Sequence, residues 1–324
     1  MLPTDISIVI VNWKSADYLK LCLRSVERNM VNVSYHVIVV DNASDDGCEA
    51  MLLHEFRWVK FIGATNNLGF ARANNLGYRH ARGRYVLFLN PDTELRDDSV
   101  ERMVSWLDGH AQAGAVGARL LNSDGSLQEN CVQAFPTIYN QILDAQLLRN
   151  LFPRSPLWGV NALISETREP AMVDSISGAC YLVRREAFDA AGRWNEEYFM
   201  YSDDLELSYR IRRAGYSIVV LPDCEVVHHG GKSAARRGLS FSDVTRRRSM
   251  AQFLNRTRGP LYGTTYRCLL CLAALMRVGM VMAVIPFAGA RRAELWMVER
   301  RWMLVLAWSL GLAQSDISKS ESRA

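Results

Sequence analysis

The sequence predicts an α/β fold: a doubly wound, mainly parallel sheet flanked by helices, followed by a helical, membrane-associating C-terminal appendage. Over the first 120 residues, short apolar runs typical of buried strands alternate with helix-like segments. From about residue 236, long apolar stretches are separated by clusters of arginine. We therefore expect an α/β domain over residues 1–235 and a basic, apolar helical region over residues 236–324.

The strands and helices follow in a regular order. The apolar runs that predict strands cover 6–11, 37–40, 59–62, 85–89 and about 115–121. Helices are predicted between them, at about 15–28, 70–81 and 99–107. Each run breaks into polar residues at its C-terminal end, so parallel strands should gather these side chains along one rim, where open α/β sheets bind ligands: Asn12, Asp41, Asn66 and Asp92. Three prolines then predict a long loop over 153–170.

The most informative strand end is Asn90-Pro91-Asp92. Proline cannot donate to a strand ladder, so the strand stops there and leaves the Asp92 carboxylate at the mouth of a central strand. A carboxylate in that position can hold a hard cation and, through the cation, a phosphate. The alternative is an ordinary strand-to-helix turn in which Asp92 caps the following helix.

Two further segments along this rim are suited to a nucleotide. Asp41 ends the second strand, and its carboxylate can accept a hydrogen bond from a ribose hydroxyl or a base N–H. The alternative is an Asx turn formed by residues 41–44. Gly69 allows close backbone approach just before a helix with free N–H groups. Neither a GxGxxG nor a GxxxxGK[ST] fingerprint follows any strand, which argues against dehydrogenases and P-loop proteins.

Acidic and imidazole groups recur in the second half of the domain. Asp203 and Asp204 lie in the first turn of a predicted helix, where either can cap the helix or act as a general base. Glu206 precedes Arg210 by four residues, which predicts an ion pair. His228 and His229 end a strand, and since neighbouring strand residues point to opposite faces, at most one should face the rim and bind a metal.

Seven segments in order resemble the family 2 glycosyltransferases, which are inverting enzymes with the GT-A fold. The resemblance covers about residues 5–235 and is closest to the rhamnosyltransferase-like subgroup that builds bacterial surface polysaccharides. The segments are IVIVNW at 8–13, VVDNASDDG at 39–47, NNLGFARANNLG at 66–77, YVLFLNPDTEL at 85–95, SGACYLVRR at 177–185, FMYSDDLELSYRIRRAG at 199–215 and VVHHGGKS at 226–233.

The resemblance implies a role for each matching residue. Asp41 would hold the nucleotide base, Asp92 would be the acid of the family's DxD element, and His228 would be a further ligand of Mg²⁺ or Mn²⁺. Asp204 would be the catalytic base, with Asp203 where the family usually has Glu. Asn90 replaces the first Asp of DxD. The other positions expected to bind the nucleotide sugar are Asn12, Asn67, Gly69, Asn74, Asn90 and Gly178.

The expected substrates follow from the same resemblance. The donor would be dTDP-L-rhamnose or a similar nucleotide sugar, and the acceptor a saccharide or a polyprenyl-diphosphate-linked saccharide. Trp194 and Phe199 could stack on acceptor sugars, or else be core residues. Two other classes remain open. A sugar nucleotidyltransferase usually has a Gly-rich basic loop where this chain has residues 12–15; the other class is a catalytically silent sugar- or lipid-binding module.

The C-terminal region predicts an anionic partner. Residues 1–231 carry 22 Lys+Arg and 29 Asp+Glu, whereas 232–303 carry 14 Lys+Arg and 3 Asp+Glu. With glycosyl transfer as the activity, we expect an anionic membrane rather than nucleic acid, and a peripheral location on the cytoplasmic face. The apolar run 268–290 contains Arg277, which is costly in a bilayer core. We favour helices in the membrane interface over a packed hairpin or a transmembrane span.

Overall fold

The structure, a computed structural model, describes residues 5–128, 131–142, 169–230 and 239–312. All but the last two residues of the predicted loop at 153–170, and the domain boundary near 235, lie outside these ranges. The strands are β1 (Ile6–Asn12), β2 (Tyr35–Asp41), β3 (Lys60–Gly63), β4 (Tyr85–Leu89), β5 (Thr93–Leu95), β6 (Ala113–Leu121), β7 (Val132–Gln133), β8 (Ala171–Met172), β9 (Ser175–Ile176), β10 (Cys180–Arg184) and β11 (Ser217–His228).

The helices alternate with these strands and then follow one another at the C-terminal end. They are α1 (Ala16–Asn29), α2 (Cys48–Glu55), α3 (Phe70–Tyr78), α4 (Ser99–Gly109), α5 (Ile138–Ile142), α6 (Arg185–Ala190), α7 (Asp203–Arg213), α8 (Leu239–Arg258), α9 (Pro260–Val284) and α10 (Arg292–Ser309). Short 3₁₀ turns connect α9 to α10.

The main sheet has the order β3-β2-β1-β4-β10-β6-β11-β5, with β8 paired to β11. The strands β3, β2, β1 and β4 are parallel neighbours, as are β6 and β11. Between these two parallel groups β10 runs antiparallel to both β4 and β6. The predicted α/β class with a mainly parallel sheet is thus confirmed, with β10 as an antiparallel insertion.

This topology positions the predicted rim. The chain reverses its winding direction between β1 and β4, and the crevice outside the carboxyl ends of such strands is the usual ligand site of open α/β sheets. The β1–β2 register sets Asn12 directly beside Asp41. Both β1 and β4 are almost entirely buried, and their side chains share one apolar core with Leu19, Cys22, Leu23 and Val26 of α1.

The C-terminal helices form a second apolar cluster. Phe253, Tyr266 and Leu306 come from α8, α9 and α10, and they pack with Ile138 and Leu205 of the α/β domain. The segment Pro260–Phe287 is long and apolar enough to cross a membrane, yet only 17% of its most apolar window is buried. This helix is therefore attached to the domain along one face and exposes the rest.

Arg277 does not interrupt that exposed apolar face. Its guanidinium lies over the Trp302 ring of α10, 4.3 Å from the ring centroid. The large exposed side chains on the outer surface of α9 are apolar, among them Leu272, Leu275, Met276 and Met280. The costly central arginine noted from the sequence is thus directed toward the neighbouring helix rather than outward.

Candidate active site

The geometry brings Asp92 and His228 together, as predicted. Asp92 follows β4 and is 5% exposed, and its Oδ1 lies 3.4 Å from Nε2 of His228 at the end of β11. The side-chain nitrogen of Asn90, Nδ2, is also 3.4 Å from that Nε2. Adjacent ligands of an octahedral Mg²⁺ are about 3.0 Å apart when each is about 2.1 Å from the ion. The Asp92–His228 spacing therefore fits a divalent cation.

A glutamine fixes which nitrogen of His228 faces this site. The Gln128 amide nitrogen donates to the carbonyl oxygen of His228 at 2.7 Å and to Oδ1 of Asn122 at 2.9 Å. Its Oε1 must then accept, and it lies 2.9 Å from His228 Nδ1. With Nδ1 as an N–H, Nε2 presents either a lone pair for a cation or a proton shared with Asp92. Orientation of a histidine ligand through its other nitrogen is typical of metal sites.

His229 faces away from this pair. Its Nε2 lies 2.7 Å from Glu94 Oε1 and its Nδ1 lies 2.8 Å from Ser123 Oγ. Of the two histidines, His228 therefore contacts the Asp92 carboxylate and His229 contacts other groups. Burial alone would raise the pKa of Asp92, but its contact with His228 outweighs burial and lowers that pKa, so the carboxylate stays ionised and ready for a cation.

Asp204 lies beside Gly178. Its Oδ2 accepts a hydrogen bond from the Gly178 N–H at 3.1 Å, and its Oδ1 accepts one from the Leu205 N–H at 2.8 Å. A Cβ at Gly178 would lie 3.6 Å from the Asp204 Cβ and 3.4 Å from the Phe70 ring. The carboxylate is thus held by two backbone amides at the start of α7.

The two neighbouring carboxyl groups have different environments. Burial, followed by the charge of Asp204, raises the pKa of Asp203 to about 8. The Asp203 Oδ2 is buried and has no hydrogen-bond partner in the described part of the chain. Burial also raises the pKa of Asp204, but the Gly178 and Leu205 N–H groups counteract it. Two backbone N–H groups thus favour the ionised form of Asp204, whereas burial and an unpaired Oδ2 favour the protonated form of Asp203.

The backbone before α7 is strained. Tyr201 and Ser202 both have positive φ, 68° and 59°. Ser202 occupies the N-cap position of α7 but its side chain makes no capping hydrogen bond. Non-glycine residues in this conformation persist only where their surroundings enforce it, and such positions cluster at functional sites. Glu206 forms the predicted ion pair with Arg210, at 2.6 Å.

Asp41 lies in a network of polar side chains at the ends of β1 and β2. The Asn12 amide nitrogen is 2.9 Å from Asp41 Oδ1 and 3.1 Å from Asp46 Oδ2. Ser44 Oγ donates to Asp41 Oδ1 at 2.5 Å, and the Ser44 N–H donates to Oδ2. Asp41 and Ser44 thus form the local turn weighed from the sequence, with the bond to the N–H three residues on rather than the two of an Asx turn, and the Asp41 carboxylate is partly exposed.

Asn67 and Gly69 shape the next segment of the rim. Asn67 Oδ1 accepts from the Asn42 amide at 2.9 Å and from the Gly69 N–H at 3.0 Å. Gly69 has φ +79°, and a Cβ there would lie 2.5 Å from the carbonyl oxygen of Phe199. The Phe70 N–H donates to that same oxygen. A glycine is therefore required where this segment meets the loop before α7.

Short links join these groups into one neighbourhood. The Asn90 N–H donates to the Ala179 carbonyl at 2.9 Å. Ala179 directly follows Gly178, the residue that holds Asp204, while Asn90 lies two residues before Asp92. The segment carrying Asp92 and the Asp204 carboxylate are therefore both hydrogen-bonded to the same two residues just before β10.

Two predicted residues have other roles in the structure. Trp194 is 2% exposed and packs edge-on against Phe70, Phe88 and Tyr181, with centroid distances of 5.2, 5.1 and 5.8 Å. A sugar cannot stack on a ring buried in this way, so the core alternative applies to Trp194. Asn74 is also buried, and its amide donates to the Phe70 carbonyl within α3.

A second group of potential ligands lies at the other end of the rim. Ligand atoms of Asp41, Asp46 and Cys48 all lie within 4.8 Å of one another. Burial raises the pKa of the Cys48 thiol, and hard cations such as Mg²⁺ prefer oxygen ligands. Asp46 already accepts hydrogen bonds from the Ala16 and Cys48 N–H groups. These bonds occupy both carboxylate oxygens of Asp46.

Comparisons with known proteins identify the family of this chain. The family model described as Glycosyl transferase family 2 matches residues 7–165. The chain is 30% identical over 247 residues to the N-acetylglucosaminyl-diphospho-decaprenol L-rhamnosyltransferase of Mycobacterium tuberculosis, which covers 72% of this chain and 79% of that protein. It is 26% identical over 231 residues to Rhamnosyltransferase WbbL of Escherichia coli K12, covering 68% and 82%.

Solved structures share the fold. The mannosyltransferase PcManGT from Pyrobaculum calidifontis, in complex with GDP-Man and Mn²⁺, superposes with a TM-score of 0.58. The sequence identity is 18%, and the superposition covers 95% of this chain and 86% of that one. The family resemblance and the GT-A fold expected from the sequence are thereby confirmed.

Proposed function

Because the chain belongs to glycosyltransferase family 2, we propose that it transfers a sugar, with inversion, from a nucleotide-sugar donor to a saccharide or lipid-linked acceptor. The observation that carries this proposal is that Asp204 is bound by the Gly178 N–H, while the next residue, Ala179, accepts from Asn90, two residues before the Asp92–His228 pair. A base and a cation site so placed suit a displacement in which one group activates the acceptor and the other holds the leaving group.

Asp204 is the proposed catalytic base. It takes the proton of the acceptor hydroxyl as that oxygen bonds to the anomeric carbon, and the bond from that carbon to the diphosphate breaks. The electron pair leaves with the nucleoside diphosphate, and a single displacement inverts the configuration. A pKa raised by burial makes Asp204 a stronger base than an exposed carboxylate, and proton transfer of this kind contributes roughly 10²–10⁴-fold.

Asp92 and His228 would hold Mg²⁺ or Mn²⁺. When bound there, the ion would neutralise negative charge on the leaving diphosphate. Gln128 keeps His228 Nε2 directed at this position, and the low pKa of Asp92 keeps its carboxylate ionised. Asp41 and the backbone around Gly69 lie along the same rim, where they can bind the base and ribose of the donor.

The relatives point to L-rhamnose as the transferred sugar, with dTDP-rhamnose as the donor. Two related proteins carry rhamnosyltransferase in their names, and one of those names specifies an N-acetylglucosaminyl-diphospho-decaprenol acceptor. We infer by analogy an acceptor linked to a polyprenyl diphosphate and a role in bacterial cell-surface polysaccharide synthesis. The activity would then occur at the cytoplasmic face of the cell membrane.

A nucleotide-sugar panel tests this function directly. Release of free nucleoside diphosphate is measured with dTDP-L-rhamnose, UDP-GlcNAc and GDP-mannose, with and without acceptor. We expect the fastest release with dTDP-L-rhamnose and a further rise when acceptor is added. A nucleotidyltransferase would instead form pyrophosphate from a nucleoside triphosphate, and a silent module would release nothing with any donor.

The exposed surface of α9 supports attachment to the membrane. Met276 and Leu272 are 68% and 57% exposed, and the region around them is basic. Apolar side chains next to arginines suit an anionic interface. Sedimentation with phosphatidylglycerol vesicles should decrease for Met276→Asp but not for Leu53→Asp, which changes a 63% exposed leucine on α2. Equal binding by both variants would contradict attachment through α9.

A further inference from the structure

A basic cleft of about 450 Å³ lies between α8 and α9 and borders the end of α10. Three of its lining residues are arginines: Arg248 and Arg256 of α8, and Arg267 of α9. None of its lining residues is acidic. Gln252, Asn255 and Thr264 add neutral polar groups. A cavity with this lining is suited to an anion that accepts several hydrogen bonds, such as a phosphate or a diphosphate.

Two of the arginines are held in fixed positions. Arg267 donates from Nε to the Ser309 carbonyl at 2.9 Å and from Nη2 to the Trp308 carbonyl at 2.8 Å, and its guanidinium stacks on Trp308. Arg256 pairs with Glu197. A guanidinium has five N–H donors, so such contacts orient the group and still leave donors for a ligand. Little side-chain entropy is then lost when an anion binds.

The cleft adjoins the loop that leads to the proposed catalytic base. Ser249, next to Arg248 in the chain, donates to the Met200 carbonyl at 2.8 Å. Glu197, the partner of Arg256, is part of the same loop, which ends at Asp203 and Asp204. A ligand in the cleft would therefore lie beside the segment that positions Asp204.

The other side of the cleft adjoins exposed apolar surface. Gly263, Thr264 and Arg267 of α9 line the cleft. Leu261, two residues before Gly263 in the same helix, is 81% exposed. The exposed apolar face continues through Leu272 and Met276. A basic cleft next to an exposed apolar helix face suits a ligand with an anionic head and a long apolar tail.

We propose that the cleft binds the diphosphate group of a lipid-linked acceptor. The isoprenoid chain lies along the exposed face of α9, and the sugar attached to the diphosphate is directed toward Asp204. This assignment rests on the proposed transfer to a lipid-linked acceptor. It names the residues that recognise that acceptor, Arg248, Arg256 and Arg267, which lie outside the donor site.

Equilibrium binding of farnesyl diphosphate to the full chain tests this site without any sugar transfer. Inorganic pyrophosphate and farnesol are the matched probes for the head and the tail. The variants are Arg248→Gln, which removes a cleft charge, and Gln252→Glu, which adds an opposing one. The control is Arg300→Gln, which removes a charge from α10 at an exposed position outside the cleft. Circular dichroism establishes that each variant is folded.

We expect saturable binding of farnesyl diphosphate, about tenfold weaker in each cleft variant and unchanged in Arg300→Gln. Pyrophosphate should compete but bind more weakly, and farnesol should bind weakest. An absence of saturable binding, or equal losses in Arg300→Gln and Arg248→Gln, would overturn the proposal. Equal affinity for pyrophosphate and farnesyl diphosphate would contradict the role of α9 in holding the tail.

Donor hydrolysis separates this proposal from the glycosyltransferase proposal. Release of nucleoside diphosphate without acceptor is measured in the unaltered protein, because that reaction does not use the cleft. If farnesyl diphosphate fails to bind but donor hydrolysis proceeds, the cleft assignment is wrong and the transferase activity stands. If Asp204→Asn binds farnesyl diphosphate normally, the cleft is independent of the chemical step, as we expect.

Discussion

Replacing Gln128 by leucine should weaken metal binding without touching the metal site itself. The Gln128 side chain makes three hydrogen bonds: two from its amide nitrogen, to the His228 carbonyl and to Asn122, and one accepted from His228 Nδ1. Leucine has a similar size but removes all three, so the imidazole loses the contact that fixes its orientation. Loss of such a supporting contact typically costs 10–100-fold in metal affinity, or about 1.4–2.7 kcal/mol.

The same substitution also leaves buried groups without partners. An unpaired polar group of this kind costs about 1–3 kcal/mol, so the free energy of unfolding should fall as well. Metal affinity is measured by titrating the purified protein with Mn²⁺ in a calorimeter, and stability by urea unfolding. Both measurements are needed because a general loss of structure would also weaken metal binding.

Gln128→Glu is the matched control. Glutamate retains an oxygen that accepts from His228 Nδ1 but loses both amide N–H bonds. We expect it to be destabilised like the leucine variant while binding Mn²⁺ nearly as tightly as the unaltered protein. An unchanged Mn²⁺ affinity in Gln128→Leu, or the same loss in both variants, would refute the positioning role derived for Gln128.

Three further predictions concern Asp204, Gly69 and Asp203. Asp204→Asn should lower kcat by about 10²–10⁴-fold and leave the calorimetric Kd for the nucleoside diphosphate unchanged; retained turnover would remove Asp204 from the mechanism. Gly69→Ala should lower the free energy of unfolding by about 2–4 kcal/mol, because its Cβ would meet the Phe199 carbonyl. The control is Gly47→Ala, which has the same φ of +79° but open space around it and should cost only about 1 kcal/mol. Equal urea midpoints for the two variants would contradict this prediction. Because the pKa of Asp203 is raised from 3.8 to about 8 in the folded protein, its contribution to stability is fully present below pH 3.8 and is lost as pH rises through about 8. The free energy of unfolding measured with urea should therefore fall between pH 4 and 8, and Asp203→Asn should remove that fall. An unaltered pH profile would show that Asp203 does not titrate in this range.

The sequence was sufficient for the parts of the fold that depend on local pattern. The apolar runs of β1, β2 and β4 and the stripe of α1 appear where predicted, since burial on a sheet demands these patterns. The antiparallel direction of β10 was not predictable in this way. It depends on the connection between β6 and β10, which are far apart in the chain, and an apolar run does not indicate the direction of its strand.

The candidate site shows the same division. The strand pattern placed Asp92 at the rim, whereas the choice of His228 as its partner came from the family resemblance. Gln128 carries no comparable signal, since its role arises only when the segment after β6 meets the end of β11. Trp194 shows the reverse, because an aromatic residue before a polar loop resembles a sugar platform until packing against Phe70 and Phe88 is known.

The cation position can be located directly. Crystals grown with MnCl₂ and a nucleoside diphosphate would give an anomalous difference map at the manganese absorption edge. We expect one strong peak between Asp92 Oδ1 and His228 Nε2, in contact with the diphosphate. A peak at Asp41, Asp46 and Cys48 instead, or diphosphate bound away from Asp92, would contradict the assignment of this site.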